Sequence, residues 1–305
     1  MSHPNFKSAY AAPGWFTWAI NAPVSQHQVT IAGCNISYLD WSGPRASCGD
    51  TRPGLLLLHG GGAHARWWQF IAPFFEQTHR VVAMDLSGMG DSGHREEYSI
   101  ELRAQEVDAL LDELDFGKDT VVVGHSLGGL ITTCFAATFG NRVAGCVLVD
   151  SPVLPPDAQP FPQPPTSPKA HRIHPTLDAA VGRFRVVPTQ PCDNDYILEF
   201  IAHHSLKRVG TGWQWKFDPV VFGPPDFGSP FREFLAEFQC PAAFVYGERS
   251  ALVTASTASY MAGLLGPTTP VIAIPNAYHH VMLDEPLGFV CALRALFESW
   301  PSGQV

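Results

Sequence analysis

Short apolar runs alternate along this chain with turns and with stretches of helical periodicity. Runs that are apolar at nearly every position are typical of strands covered on both faces of a parallel sheet. After an opening strand pair at 27–32 and 35–41, such runs lie at residues 55–58, 81–85, 120–123 and 145–150. Between the second and third runs a helix is predicted from one apolar face, made of Ile100, Ala104, Val107, Leu111 and Leu114 and followed by Gly117. This alternation predicts an α/β fold with helices on both faces of the sheet.

The alternation breaks at residue 152. Residues 152–168 contain eight prolines, which cannot continue a helix or a central strand. A helix predicted at 194–208 and an aromatic stretch at 212–219 follow. Insertions of this length are usually functional rather than structureless loops. We therefore predict a lid of residues 152–235, inserted into a core made of residues 1–151 and 236–305.

The strand and helix pattern returns after the insertion. Strands are predicted at 241–247 and 271–274, with a helix at 254–264 between them. A closing helix begins near Pro286, and its predicted inward face consists of Leu287, Val290, Leu293 and Phe297.

The charge balance excludes some classes of partner. Nineteen basic and 28 acidic residues give a net charge of −9, so the chain lacks the positive surface that nucleic acids or anionic membranes attract. We expect neither as a partner. The sequence gives no indication of the oligomeric state.

The cysteines and the uncharged segments bear on the compartment. Seven cysteines, odd in number and without a C-x-x-C pair, argue against a disulfide framework or a zinc site and suit a reducing cytoplasm. Residues 120–141 carry no formal charge, but their glycines and hydroxyls favour a buried strand, turn and helix over a membrane span. Because the first residues show no basic and apolar leader pattern, we expect a soluble cytoplasmic protein.

One short motif carries chemistry. Gly124-His125-Ser126-Leu127-Gly128 fits the pattern G-x-S-x-G, directly after a predicted strand and directly before a predicted helix. That context is the one a nucleophile elbow requires, because the sharp turn strains the serine backbone and needs small neighbours. Ser126 is therefore the predicted nucleophile.

A set of ordered segments extends this motif. HGGGAHARWW at 59–68, DLSGMGDSG at 85–93, GHSLGG at 124–129, LVDSP at 148–152, YGERSALV at 246–253 and NAYHHVMLDEP at 276–286 resemble the landmarks of the α/β-hydrolase superfamily. The resemblance is closest to its capped serine esterase and C–C-hydrolase-like branch. It implies a mostly parallel eight-stranded sheet flanked by helices, with an inserted lid, and it implies no cofactor and no metal.

The resemblance also implies roles for individual residues. The family's histidine, counted back from Pro286, falls on His279 rather than on its neighbour His280, with Tyr278 where glycine is usual. An imidazole there accepts the serine proton and returns it to the leaving group. The oxyanion donors are the backbone N–H groups of Leu127 and Gly61.

The third member of the triad departs from the family pattern. Ser250 stands in the slot where the family usually carries its aspartate, and serine cannot stabilise an imidazolium as a carboxylate does. Some branches place the acid at the end of the strand after the nucleophile helix, where this chain has Asp150. We predict Asp150 as the acid, with Glu248 and the lack of a working acid as alternatives.

The lid and the oxyanion turn suggest a substrate class. The lid carries Phe161, Phe184, Tyr196, Phe200, Trp213, Trp215, Phe217, Phe222 and Phe227. We predict substrate contacts from Trp67, Trp68, His125 and Trp213, and a small to medium hydrophobic ester as substrate.

Other activities of this fold remain as alternatives. They are a C–C bond or amide hydrolase, a cofactor-free oxygenase or perhydrolase, and a non-catalytic ligand receptor. Epoxide hydrolases and haloalkane dehalogenases of this fold use an aspartate nucleophile, which Ser126 replaces. The predicted lid also holds a single tyrosine, Tyr196, for activating an epoxide.

Overall fold

The structure, a computed structural model, describes residues 12–43, 50–158, 171–222 and 230–300. The described residues form an eight-stranded sheet and a separate two-stranded one. The strands of the large sheet are β1 (Ser25–Ile31), β2 (Cys34–Asp40), β3 (Gly54–Leu58), β4 (Arg80–Met84), β5 (Val121–His125), β6 (Gly145–Val149), β9 (Ala242–Gly247) and β10 (Val271–Ile274). The small sheet pairs β7 (Leu206–Val209) with β8 (Gly212–Trp215).

The large sheet is mostly parallel. Its strand order is β1-β2-β4-β3-β5-β6-β9-β10, and only the β1–β2 and β2–β4 pairs are antiparallel. Leu58 at the end of β3 lies opposite both Met84 and Gly124, so the carboxyl ends of the central strands meet at one edge. Strands β3, β5 and β6 are buried along their whole length. The predicted fold class is confirmed.

Helices cover both faces of this sheet. They are α1 (Gly14–Ile20), α2 (Ile100–Glu113), α3 (Leu127–Phe139), α6 (Phe231–Ala236), α7 (Ala255–Leu265), α8 (Val281–Asp284) and α9 (Pro286–Ser299). The predicted α2 begins after Ser99, whose hydroxyl accepts the Leu102 amide at 3.0 Å. Residues 120–141 form β5, a turn and α3, as expected. Within the described residues, no helix has the length and hydropathy needed to cross a bilayer.

One predicted helix face was wrong in part. Leu287 in α9 is 41% exposed, because the helix turns Phe289, Val290 and Leu293 toward the sheet instead. Leu287 lies in the first turn of α9, beyond the edge of that buried face.

The inserted segment contains two short helices and a hairpin. Helices α4 (Leu177–Val181) and α5 (Asp195–His204) precede β7 and β8. The predicted helix at 194–208 therefore ends early, because the chain turns back at Gly210, where φ is +57°. The predicted lid boundaries stay a prediction, since residues 159–170, with Phe161, and residues 223–229, with Phe227, lie outside the described residues.

The hairpin end of this segment is anchored to the turn after β4. The Lys216 ammonium lies 2.7 Å from Asp91, and the Asp218 amide donates to the Gly88 carbonyl at 2.7 Å. Ser205, just after α5, bonds the His64 ring at 2.9 Å. The first two contacts hold the end of the hairpin on the turn that carries Gly88 and Asp91, and the third joins the end of α5 to the stretch after β3.

The residues just before α5 are anchored to the chain between β10 and α9. The Gln190 amide donates to both carboxylate oxygens of Asp284 at 2.9 Å, and its carbonyl oxygen accepts the His280 amide at 3.1 Å. Asn194 donates to the carbonyls of Leu283 and Asp284. Burial raises the pKa of the Asp284 carboxyl to about 6, against the lowering effect of the donors from Tyr278 and Gln190.

Two glycine substitutions test the packing of α3 against β3. A Cβ on Gly128 would lie 2.6 Å from the carbonyl oxygens of Leu58 and His59, whereas one on Gly263 would meet nothing within 4 Å. We expect Gly128→Ala to lower the free energy of unfolding by about 2 kcal/mol or more. Gly263→Ala, in the exposed face of α7, should raise it by about 0.5–1 kcal/mol. Urea unfolding measures both, and equal stabilities of the two variants would contradict this close packing.

Asp284 provides a pH test of the second anchor. Its pKa of about 6 in the folded chain exceeds the unfolded value of about 3.9, so protonation favours folding. The resulting stability is complete below the unfolded pKa and is lost as the pH rises through 6. Asp284→Asn cannot titrate there. From pH 8 to pH 5, wild type should therefore gain on the order of 1 kcal/mol of unfolding free energy relative to Asp284→Asn.

Denaturant titrations at the two pH values measure this gain. Asp193→Asn, which removes an exposed carboxylate from the inserted segment near Asn194, is the matched control for a change of surface charge. A pH-independent difference between wild type and Asp284→Asn would show that folding does not raise the pKa of this carboxyl.

Candidate active site

Ser126 occupies the sharp turn between β5 and α3. Its φ of +52° lies in the left-handed region, and its amide is held by the Val149 carbonyl at 2.9 Å. A Cβ on Gly124 would collide with the Gly128 carbonyl and the Thr132 hydroxyl, so the turn admits only glycine there. The strained turn leaves Ser126 partly exposed above the end of β5.

His279 reaches this serine from the loop after β10. Its Nε2 lies 3.1 Å from the Ser126 Oγ, and its Nδ1 lies 2.7 Å from Oδ1 of Asp150. The backbone carbonyl of His279 accepts a hydrogen bond from the Nε2 of His125 at 3.0 Å. Because Asp150 accepts the Nδ1 proton, the lone pair of His279 Nε2 faces the serine hydroxyl.

Asp150 ends β6 and is completely buried. Its φ is +45°, a conformation that aspartate tolerates better than most residues. Oδ2 accepts the Gly247 amide at 2.9 Å, and Oδ1 accepts the Ser250 hydroxyl at 2.7 Å as well as the His279 Nδ1–H. A buried carboxylate needs such donors, because burial without them is costly.

Ser250 and Glu248 have separate places. The Ser250 hydroxyl, in the slot of the family's usual acid, donates to Asp150 and accepts the amides of Leu252 and Val253. The exposed Glu248 instead accepts the Asn276 amide at 3.1 Å. The structure thus brings Asp150, and not Glu248, to His279.

The predicted oxyanion donors come from two separate turns of the chain. Leu127 begins α3, and Gly61 lies in the turn after β3. Within the described parts of the chain, neither of these two amides donates a hydrogen bond. They are therefore free to donate to a developing negative charge.

His59 holds the glycine turn in place. It donates from Nδ1 to the Gly60 carbonyl at 2.8 Å and accepts the Leu86 amide on Nε2 at 3.1 Å. Burial lowers the pKa of His59 to about 4, so the ring stays neutral and keeps both bonds. The last glycine of the same turn, Gly62, donates its amide N–H to the sulfur of Met89 at 3.3 Å.

The four predicted substrate contacts occupy different environments. Trp67 is buried beside the His280 ring, with centroids 5.3 Å apart, and the His125 ring lies tilted against the His279 ring, with centroids 4.9 Å apart. Trp68 points elsewhere: it is 0% exposed and packs against Phe289 in the core. Trp213 lies in β8, where its backbone pairs with His174. Of these four residues, Trp67 and His125 lie next to His279 or His280, and all four substrate contacts stay predictions.

Sequence reasoning set His280 aside as the neighbour of His279. The structure places its ring, 4% exposed, 4.7 Å from the His279 ring and 5.4 Å from the His125 ring. The sequence signal was only adjacency to His279, which does not say that the two side chains share one side of the loop.

Comparisons with known proteins identify chains that are similar to this one along most of its length. Esterase Rv0045c of Mycobacterium tuberculosis is 26% identical over 302 residues, which cover 92% of this chain and 92% of that protein. Human epoxide hydrolase 4 is 31% identical over 262 residues, covering 77% of this chain and 69% of that protein. The thioesterase domain from the curacin biosynthetic pathway superposes with a TM-score of 0.72 at 24% identity, over 91% of this chain and all of that domain, which shows the fold.

A family model covers most of the core described above. The model described as the alpha/beta hydrolase family matches residues 55–293, which include the glycine turn, the elbow and the loop of His279. The chain belongs to the alpha/beta hydrolase family.

Proposed function

We propose that this protein is a serine hydrolase that cleaves carboxylic esters of small to medium hydrophobic substrates through an acyl-enzyme on Ser126. The observation that carries the proposal is the continuous hydrogen-bond chain from Ser126 through His279 to Asp150, with separations of 3.1 and 2.7 Å. A serine hydroxyl is a weak nucleophile until a neighbouring base accepts its proton, and this arrangement supplies that base.

The geometry assigns a path to each proton. His279 Nε2 accepts the Ser126 proton as Oγ attacks the ester carbonyl carbon, and the carbonyl oxygen becomes an oxyanion. The amides of Leu127 and Gly61 donate to that oxyanion. The C–O bond then breaks, and the imidazolium gives its proton to the departing alkoxide. Water, deprotonated by the same nitrogen, then attacks the acyl carbon. The bond from that carbon to Oγ breaks, the imidazolium returns the proton to Oγ of Ser126, and the acid leaves.

Asp150 stabilises the imidazolium and fixes its orientation. Its carboxylate is buried away from water, so its attraction to the imidazolium is weakly screened. Ser250 contributes by fixing the same carboxylate oxygen that faces His279. The serine in the family's acid slot thus supports the displaced acid.

The inserted segment supports an apolar substrate of limited size. A cavity of about 260 Å³ lies within this segment, with apolar walls from Phe184, Val186 and Leu198 and with Arg185 and Asp195 also at its lining. Gln190, which also lines this cavity, bonds the backbone of His280 beside the triad. Relatives named an esterase and a pimeloyl-[acyl-carrier protein] methyl ester esterase support ester hydrolysis.

The relative named an epoxide hydrolase raises a competing reaction. The resemblance implies an aspartate nucleophile for that chemistry, and this chain has Ser126 at the elbow. Tyr196 in the inserted segment donates its hydroxyl to Asn194 at 2.9 Å and packs against Phe16. Its hydroxyl is thus already bonded, and epoxide opening is not proposed.

Ester hydrolysis by three proteins tests the proposal. We expect wild type to hydrolyse p-nitrophenyl acetate and butyrate, and Ser126→Ala to lose about 10⁵ or more of the turnover. Asp150→Asn should lose on the order of 10⁴, because the histidine then loses its orienting carboxylate. Glu248→Gln is the matched control and should retain activity. A folded but inactive wild type would sink the esterase proposal and favour a ligand receptor or a C–C or amide hydrolase.

An aspartate placed at position 250 instead of position 150 tests which position of the carboxylate serves His279. Ser250 lies 2.7 Å from Asp150, so an aspartate at 250 can approach the His279 Nδ1. We expect Asp150→Asn/Ser250→Asp to recover roughly 10–100-fold of the turnover that Asp150→Asn loses. Ser250→Asp alone should be slower than wild type near neutral pH, because two adjacent carboxylates cannot both ionise easily. Steady-state rates decide it, and a double variant no faster than Asp150→Asn would refute the exchange.

A further inference from the structure

Three imidazole rings converge at the triad although the proposed reaction uses only one of them. The rings of His125, His279 and His280 are 1%, 2% and 4% exposed and lie within 5.4 Å of one another, centroid to centroid. One nitrogen from each ring lies within 4.8 Å of a nitrogen from each of the other two. His125 comes from the elbow and the other two from the loop after β10, so the fold rather than local sequence brings them together.

Several nitrogens of this cluster lack a partner within the described part of the chain. His125 donates from Nε2 to the His279 carbonyl, which leaves an unpaired lone pair on Nδ1. Neither ring nitrogen of His280 makes a hydrogen bond of ordinary geometry. Buried polar atoms normally have partners, so these nitrogens point to an unassigned ligand.

We propose that His125, His279 and His280 form an inhibitory binding site for a divalent transition metal ion of the Zn²⁺ type. Three imidazoles are a donor set that suits zinc, nickel and copper, and an open fourth position remains for water. Ligand nitrogens around tetrahedral zinc lie about 3.4 Å apart, so nitrogens now within 4.8 Å need to approach by no more than about 1.5 Å.

Asp150 completes the arrangement. It accepts the Nδ1–H of His279 at 2.7 Å, and metal-bound histidines are commonly oriented by just such a carboxylate. With Nδ1 engaged, the nitrogen left for the metal is Nε2, which now bonds Ser126. Metal binding there removes the lone pair that accepts the serine proton. The inhibitory effect, but not the binding, rests on the proposed function.

Calorimetry tests the site without any assay of activity. Tag-free Ser126→Ala protein, which retains all three histidines, is titrated with ZnCl₂ at pH 7.5. We expect one ion per chain, with an affinity at least tenfold weaker when His280→Phe or, as a second variant, His280→Gln is added. His203→Gln is the matched control, because His203 is exposed and bonds only the Glu199 carbonyl among the contacts described. Circular dichroism verifies that each variant is folded.

Ester hydrolysis tests the consequence. Zn²⁺ should inhibit wild type and His203→Gln at the same concentration, with activity restored by EDTA. His280→Phe, measured relative to its own metal-free rate, should need at least ten times more Zn²⁺. The absence of binding, or equal affinities with and without His280, overturns the site. If wild type hydrolyses no ester, the calorimetry still decides the metal site, and only the proposed function fails.

Discussion

The buried carboxylate of Asp150 is the interaction on which the candidate active site depends. A charge without any exposure to water is tolerated only when donors replace the water. The donors here come from the end of β9 (Gly247), the loop that follows it (Ser250) and the loop after β10 (His279). One side chain therefore ties three separate parts of the chain together, and its removal would leave all three donors unpaired.

The parallel register makes this convergence possible. Val149 lies opposite Val245 where β6 pairs with β9, so the next residue, Asp150, emerges beside the end of β9. Close packing then sets the distances: a Cβ on Gly247 would collide with the carbonyls of Ala277 and Tyr278, which allows the histidine loop to approach the strand end. At the opposite side of Ser126, Gly60 lies close to His125, since its Cβ would be 3.0 Å from His125 Nδ1.

The sequence predicted most of the core because its signals are local. Continuous apolar runs identified β3, β5 and β6, and the G-x-S-x-G turn identified the elbow. What it missed depends on contacts between distant residues. The exposure of Leu287 reflects the rotation of α9 on the sheet, and the burial of Trp68 reflects its contact with Phe289. The hairpin of β7 and β8 replaced the end of a predicted helix, because its pairing competes with a weak helical pattern.

The carboxylate partner of His279 was harder to predict, because the family motif alone does not say which residue supplies it. Ser250 in the usual slot suggests loss of function if each position is judged separately. The structure shows that the Ser250 hydroxyl donates to the Asp150 carboxylate. The carboxylate thus stands at the end of β6, and the serine that bonds it stands where the family usually carries the acid. A serine hydroxyl can donate to a carboxylate, whereas a second carboxylate would repel it. At position 250 the serine hydroxyl therefore donates to the same carboxylate oxygen that faces His279.

The inserted segment is attached to the two loops that position the reacting groups. Its hairpin contacts the turn of Asp91 and Met89, and Met89 accepts the amide of Gly62 beside the oxyanion turn. Its Gln190 contacts the loop that carries His279 and His280. These attachments reach two loops that carry candidate site residues, so a displacement of the segment would act on the glycine turn and on the histidine loop together.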